Sequence, residues 1–81
     1  MTMYEERVVL ADGALAVIAL QPAGRYRLRY ARVGELLVEY RRDGNKHHRR
    51  NRSREQEYEF RSVEQLRYDF ERDVEEAQRQ G

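Results

Sequence analysis

The side chains best suited to chemistry lie in one ten-residue run, Asn45 to Arg54. This run holds both histidines of the chain, His47 and His48, with five positive charges and no acid. Histidine exchanges protons near neutral pH because its ordinary pKa lies there, and clustered arginine and lysine bind phosphates. Metal-independent RNA cleavage needs proton-transfer groups among phosphate-binding groups. A plain solvated basic loop has the same composition, so the run by itself leaves both interpretations open.

The adjacency of the two histidines argues against a metal site. Neighbouring side chains in an extended chain point to opposite sides, so His47 and His48 rarely bind one ion together. Nearby carboxylates are few, namely Asp43 and Glu55, and the surrounding cations repel a metal. We therefore expect no metal and no cofactor.

Acid–base catalysis assigns separate roles to these groups. One histidine is the expected base, because nearby arginine charges disfavour its protonated form and keep it neutral at pH 7. The other histidine can be the acid only if the fold brings it to the same phosphate, and Tyr58 or Tyr40 could replace it. The cations expected to bind RNA or phosphate are Arg25, Arg27, Arg29, Arg41, Lys46, Arg49, Arg50 and Arg52.

Charge is strongly segregated along the chain although the net charge is only +1. Residues 1–24 have one arginine and three acids, residues 25–54 have eleven Lys or Arg and three acids, and residues 55–81 have four arginines and nine acids. The middle segment is expected to bind an anion, and we favour a nucleic-acid backbone. The alternative is that an acidic C-terminal helix lies across the basic strands and neutralises them.

Length and composition indicate a single small domain over residues 1–81, with 40% hydrophobic and 38% charged residues. Such a lean core often gains stability from a partner or from homodimerisation. The chain has no cysteine, which excludes disulfides and thiolate metal sites. Its longest apolar run, Ala14 to Leu20, is too short to span a bilayer, and no signal peptide is recognisable. We expect a cytoplasmic protein with no membrane partner.

Alternation and turn residues predict four consecutive antiparallel strands. Asp12-Gly13, between the apolar runs of residues 4–11 and 14–20, is a strong hairpin signal. The second run is apolar on both faces, which predicts a central strand covered on both sides. Residues 25–30 alternate arginine with tyrosine or leucine, which predicts one cationic face and one buried face. Residues 36–41 form the fourth predicted strand.

The rest of the chain predicts a basic loop, a short strand and a helix. The loop covers residues 45–54, and the fifth strand covers Tyr58 to Phe60. Ser62 with Gln65 is typical of a helix capping box. An apolar stripe follows at spacings of three and four, while charged residues such as Asp73 are expected in solvent. The stripe consists of Val63, Leu66, Phe70, Val74 and Ala77.

The predicted fold class is therefore α+β. An antiparallel sheet of four to five strands carries one C-terminal helix packed on one face. The opposite face presents Arg25, Arg27 and Arg29, with Arg41 extending the surface. Such a cationic sheet face is suited to RNA.

Five segments between Gly34 and Val74 match a known family in order and composition. They are Gly-Glu-Leu-Leu-Val-Glu-Tyr at 34–40, Lys-His-His-Arg at 46–49, Glu-Tyr-Glu-Phe at 57–60, Ser-Val-Glu-Gln-Leu at 62–66 and Asp-Phe-Glu-Arg-Asp-Val at 69–74. This half of the chain resembles the TumE family of toxin–antitoxin proteins. The resemblance implies a small bacterial or archaeal toxin that acts on RNA or translation and is encoded beside a helix-turn-helix antitoxin.

The chain departs from that family at two places. Tyr40-Arg41-Arg42 stands where members usually have Tyr-Asp-Asn, and Arg49-Arg50 stands where a further histidine is common. If that histidine supplies the acid, this chain is either a weakened enzyme or one that uses another group.

Two functional hypotheses follow. The first is a type II toxin that binds RNA or the ribosome and cleaves RNA without a metal, with an acidic antitoxin segment covering its basic surface. The second is a non-enzymatic nucleic-acid- or protein-binding module, such as a regulatory or phage-encoded inhibitor.

Overall fold

The computed structural model describes residues 4–10 and 13–80, which form a six-stranded antiparallel sheet and one helix. The elements are β1 (Tyr4–Val9), β2 (Leu15–Leu20), β3 (Tyr26–Arg32), β4 (Glu35–Asp43), β5 (Lys46–Asn51), β6 (Arg54–Glu57) and α1 (Val63–Gln80). A single 3₁₀ turn, Pro22–Gly24, separates β2 from β3. The strands lie in the sheet in chain order. The predicted α+β class is confirmed, with six strands rather than four to five.

Strand β3 shows how the sequence sorts the two faces of the sheet. Tyr26, Leu28 and Tyr30 are buried on the face that α1 covers. The intervening Arg27 and Arg29 are exposed on the opposite face, which we call the open face. Period-two alternation with such chemical contrast leaves only one register that buries the apolar side chains. The predicted cationic face is present.

Helix α1 packs on the sheet through most of its predicted stripe. Leu66, Phe70 and Ala77 are at most 3% exposed, whereas Val63, at the first turn, is 46% exposed. Burying a large apolar side chain contributes roughly 1.5–3 kcal/mol, so this contact anchors the helix. The Ser62 cap is confirmed, since the backbone N–H of Gln65 donates to its hydroxyl oxygen at 3.1 Å.

The predicted basic loop is wrong. Most of it is strand β5, which turns tightly at residues 52–53 into β6. The short strand expected at residues 58–60 lies instead at residues 54–57. A strand forms from this polar segment because its backbone pairs with β4 on one side and β6 on the other, and because its inward side chains find partners under the helix.

Two further predictions, the exposure of Asp73 and the double covering of β2, are wrong. Asp73 is 1% exposed rather than solvated. Strand β2 is covered on one face only, and Leu15 on its open face is 38% exposed. Asp12 of the predicted hairpin turn lies outside the described residues, but β1 and β2 do pair antiparallel as that turn predicts. Within the described part of the chain, no helix is long and apolar enough to cross a membrane.

Candidate functional site

Strand β5 places the two histidines on opposite faces of the sheet. His47 lies opposite Arg42 of β4 on the helix-covered face, and His48 lies opposite Arg41 on the open face. Both residues border a cleft of about 310 Å³ near the β5–β6 edge. Their imidazoles nevertheless have different surroundings, so the pair does not form one acid–base site.

His47 is held by aromatic neighbours at the rim of the core. Its Nδ1 lies 2.7 Å from the Tyr26 hydroxyl, and its ring stacks on Phe60 with centroids 5.2 Å apart. Burial, together with the charge of Arg42, lowers the pKa of His47, while burial raises the pKa of Tyr26 to about 12. At neutral pH, therefore, a neutral imidazole and an un-ionised phenol share this hydrogen bond. These contacts fix the ring and make His47 a packing residue of this rim.

His48 belongs to a charged cluster on the open face. Its Nδ1 lies 3.8 Å from a carboxylate oxygen of Glu55. The same oxygen accepts a hydrogen bond of 3.0 Å from Arg41. His48 is thus the histidine that shares a surface with the arginines of β3 and β4.

One nearly buried carboxylate is surrounded by three arginines at the centre of the open face. Glu39, whose side chain is 9% exposed, lies 3.2 Å from Arg41 and 3.6 Å from Arg29. Arg27 is 3.9 Å away on the same carboxylate. Only the Arg41 contact is short enough to be a hydrogen bond. Because Arg41 also binds Glu55, two carboxylates contact these three arginines, and one positive charge remains in excess within this cluster.

The open face is also concave. A groove of about 840 Å³ runs across its first four strands. Leu15, Val17 and Ala19 of β2 form an apolar floor. The charged side chains of the open face around it are the cations Arg7, Arg25, Arg27, Arg29 and Arg41 and the acids Glu5 and Asp43.

Arg49 and Tyr58 are placed under the helix, away from the open face. Arg49 donates two hydrogen bonds of 2.8 Å to Asp73, and the Tyr40 hydroxyl donates a third of 2.6 Å. The Tyr58 hydroxyl donates to Asp69 at 2.6 Å. The pKa of Tyr58 lies well above the ordinary tyrosine value, mainly because the phenol is buried and also because of this hydrogen bond. Such a phenol is a poor acid or base at neutral pH. Both side chains connect α1 to the sheet.

The remaining predicted cations are distributed around the sheet. Arg50 shares the open face with His48 and donates to the carbonyl of Arg52 at 3.0 Å. Arg52 occupies the β5–β6 turn with a positive φ of 56°. Lys46 begins β5 opposite Asp43, and Arg25 is exposed just before β3. The structure therefore gathers Arg25, Arg27, Arg29, Arg41, Lys46, His48 and Arg50 on one face of the molecule.

Several acids in these clusters escaped the sequence reasoning. Asp73 had a readable signal, because Leu66, Phe70, Asp73 and Ala77 repeat at spacings of four, three and four. Glu39 also had a readable signal, because it stands two residues before Arg41 in the same strand and must lie on the same face. No spacing in the sequence brings Tyr26 to His47, since that contact depends on β3 and β5 lying on either side of β4.

Comparison of the chain with protein-family models, with curated proteins and with solved structures returned no match. Among the described residues, no three histidine, aspartate or glutamate side chains form a group that could hold a metal ion.

Proposed function

We propose that the protein binds RNA, free or in the ribosome, through the open face of its sheet and acts there as the toxin of a toxin–antitoxin pair. The observation that carries this proposal is the grouping of Arg27, Arg29 and Arg41 around the one carboxylate of Glu39. The resemblance of residues 34–74 to the TumE family supports the toxin role.

The chemistry of the arginines suits a phosphate backbone. The nitrogens of Arg27 and Arg29 lie 3.9 and 3.6 Å from Glu39, which leaves guanidinium N–H groups available for another acceptor. Arginine presents its donors as a planar fork that matches two phosphate oxygens. Asp69 and Asp73 of α1 bind Tyr58 and Arg49 on the helix-covered face, so the helix neutralises Arg49 and leaves the arginines around Glu39 on the open face.

His48 is the group we assign to proton transfer in RNA cleavage. It stands on the binding face beside Arg41, whose charge would stabilise the pentacoordinate phosphorane. His48, whose ring Glu55 holds, would take the proton of the 2′-hydroxyl as this oxygen bonds to phosphorus. The bond from phosphorus to the 5′-oxygen then breaks, and solvent water supplies the proton that the leaving 5′-oxygen needs. Tyr58 and His47 face the other side of the sheet and are left out of this step.

The cognate partner in this proposal is an acidic segment of a helix-turn-helix antitoxin. Its carboxylates would meet the same arginines that bind phosphate, and the apolar floor of the groove would receive its aliphatic side chains. Binding of RNA and of antitoxin would then exclude one another.

The test is to add the purified protein to a translation extract containing a chelator and to map new RNA ends. We expect metal-independent ends with the wild type and none with His48→Ala. The control is His47→Gln, which keeps a hydrogen-bonding side chain on the covered face and should leave cleavage intact. Ends that persist with a folded His48→Ala protein would contradict the catalytic role.

A second candidate function, a non-enzymatic binding module, is favoured by one observation. The two histidines lie on opposite faces, so a histidine acid does not accompany His48 on the open face. This candidate predicts that RNA stays intact in the extract, while charge reversal of Arg27 and Arg29 abolishes binding of the nucleic-acid or protein partner.

A further inference from the structure

Strand β1 is an unpaired edge of the sheet. It hydrogen-bonds to β2 on one side, and no described strand lies on its other side. Proteins commonly protect such edges with prolines, bulges, very short strands or charged side chains. β1 has charged side chains but no proline, and its charges of both signs can pair with those of a second copy. β1 is six residues long and pairs with β2 without a register shift. It is therefore open to another strand.

The backbone groups that point outward can be identified from the pairing with β2. The N–H of Leu10 donates to the carbonyl of Ala14 at 2.8 Å, so the backbone of Leu10 faces β2. Backbone direction alternates along a strand. The N–H and C=O groups of Glu5, Arg7 and Val9 accordingly point away from the sheet, ready for a new ladder.

We propose that β1 pairs antiparallel with β1 of a second copy, in the register centred on Glu6. This register places Glu5 opposite Arg7 of the second copy, and Arg7 opposite its Glu5. Both residues have outward backbone groups, so these two pairs form the hydrogen-bonded rungs. Within one copy, Arg7 already donates to Glu5 at 2.9 Å on the open face. The register adds two cross-strand ion pairs and so joins the two internal pairs into one cluster of four alternating charges.

The helix-covered face is also complementary in this register. Tyr4 and Val8, which are 44% and 38% exposed in one copy, lie opposite each other across the junction. The two Glu6 side chains meet at the centre. Each already receives the guanidinium of Arg67 at 3.2 Å, so the junction holds two acids and two bases.

Neighbouring registers are less favourable. A two-fold axis normal to the sheet allows centring on any one residue of β1, since paired side chains must share a face. Centring on Glu5 or Arg7 also places identical charges directly opposite, as centring on Glu6 does, but it forms no cross-strand ion pair between Glu5 and Arg7. Centring on Val8 avoids that clash but forms no ion pair. Of these registers, only the one centred on Glu6 pairs Glu5 of each copy with Arg7 of the other.

The consequence is a continuous sheet whose two open faces lie on the same side. The grooves of the two copies border the junction, because Glu5 and Arg7 of β1 line each of them. The dimer would present one cationic surface twice as long as that of a single copy. This inference concerns β1 alone and stands whether or not the open face binds RNA.

Charge exchange at the two rungs tests the pairing. Analytical ultracentrifugation of the wild type should give a concentration-dependent dimer. Glu5→Arg and Arg7→Glu each turn both ion pairs into repulsions and should raise the dimer dissociation constant at least tenfold. The Glu5→Arg, Arg7→Glu double variant restores opposite charges and should return the constant to near the wild-type value. A monomeric wild type, or single variants that dimerise as tightly as the wild type, would overturn the proposal.

Disulfide trapping tests the register independently of charge. The chain has no cysteine, so Glu6→Cys introduces the only thiol. Directly opposed residues of a non-hydrogen-bonded pair have Cα atoms about 4.5 Å apart, within reach of a disulfide. Val9→Cys is the control, because its two copies would lie roughly 20 Å apart in this register. Rapid oxidation of Glu6→Cys alone supports the pairing, and equal or faster cross-linking of Val9→Cys overturns it.

Discussion

Single residues under the helix decide how firmly α1 is held on the sheet. Asp73 is almost fully buried and accepts three hydrogen bonds, two from Arg49 and one from Tyr40. The Arg49 guanidinium also lies 5.7 Å from the centre of the Tyr40 ring. A charged group in such a site stabilises the fold only while all its partners remain. A side chain that the sequence suggested for phosphate binding thus has a structural role.

We predict that Asp73→Ala lowers the free energy of unfolding by roughly 2–4 kcal/mol, because it leaves the Arg49 charge without its partner. Urea denaturation followed by circular dichroism measures the change. Glu75→Ala is the matched control, since Glu75 pairs with Arg79 on the exposed face of the same helix. Such surface pairs are worth about 0–1 kcal/mol. Equal losses in the two variants would contradict the buried network.

The neutral state of His47 predicts a dependence of stability on pH. Its pKa is lowered in the folded protein, so the unfolded chain takes up the proton first as pH falls. Stability should therefore decrease as pH drops below the ordinary histidine pKa of about 6.5. Thermal unfolding between neutral and mildly acidic pH measures this loss. The loss should be smaller in His47→Gln, and an unchanged pH profile in that variant would refute the assignment.

Among the elements, β5 shows most clearly how sheet pairing can override a polar composition. Its inward positions carry His47, Arg49 and Asn51, none of which is apolar. The strand forms because β4 and β6 supply backbone partners and the covered face supplies Tyr26 and Asp73 for its side chains.

Hydrogen exchange distinguishes this strand from a loop. We expect slowly exchanging amides within residues 46–51, since β5 is flanked by strands on both sides. The turn residues Gly44, Asn45 and Ser53 provide the comparison within the same hairpins. Uniformly fast exchange from residue 44 to residue 53 would restore the loop interpretation.

The contrast between β3 and β5 explains what the sequence could reveal. In β3, arginine alternates with tyrosine and leucine, so composition alone assigns the two faces. In β5, cations occupy both faces, and only the partners of each side chain tell them apart. This alternation in β3 is why the fold class and the cationic face could be predicted. The opposite direction of adjacent side chains already argued against a shared metal ion at His47 and His48. It did not assign the two histidines to faces of the sheet, because their segment was predicted to be a loop.

At the scale of the whole molecule, charge is divided between two sides of the sheet. Helix α1 carries six acids and three arginines. The open face gathers Arg27, Arg29 and Arg41 around Glu39. An anionic ligand would be steered to the open face and repelled by the helix. This polarity orients binding even though the net charge is close to zero.

The most direct test is to titrate a labelled, unstructured RNA and measure fluorescence anisotropy at several salt concentrations. Phosphate contacts by Arg25, Arg27, Arg29 and Arg41 predict a slope of log K against log salt of roughly −3, at about 0.7 per contact on a single strand. Arg27→Ala with Arg29→Ala should weaken binding and reduce that slope by about 1.4, two contacts at the same value. The control, Arg72→Ala with Arg79→Ala, removes the same charge from α1 and should leave the affinity unchanged or higher. No binding by the wild type, or equal weakening by the two double variants, would contradict an RNA-binding open face.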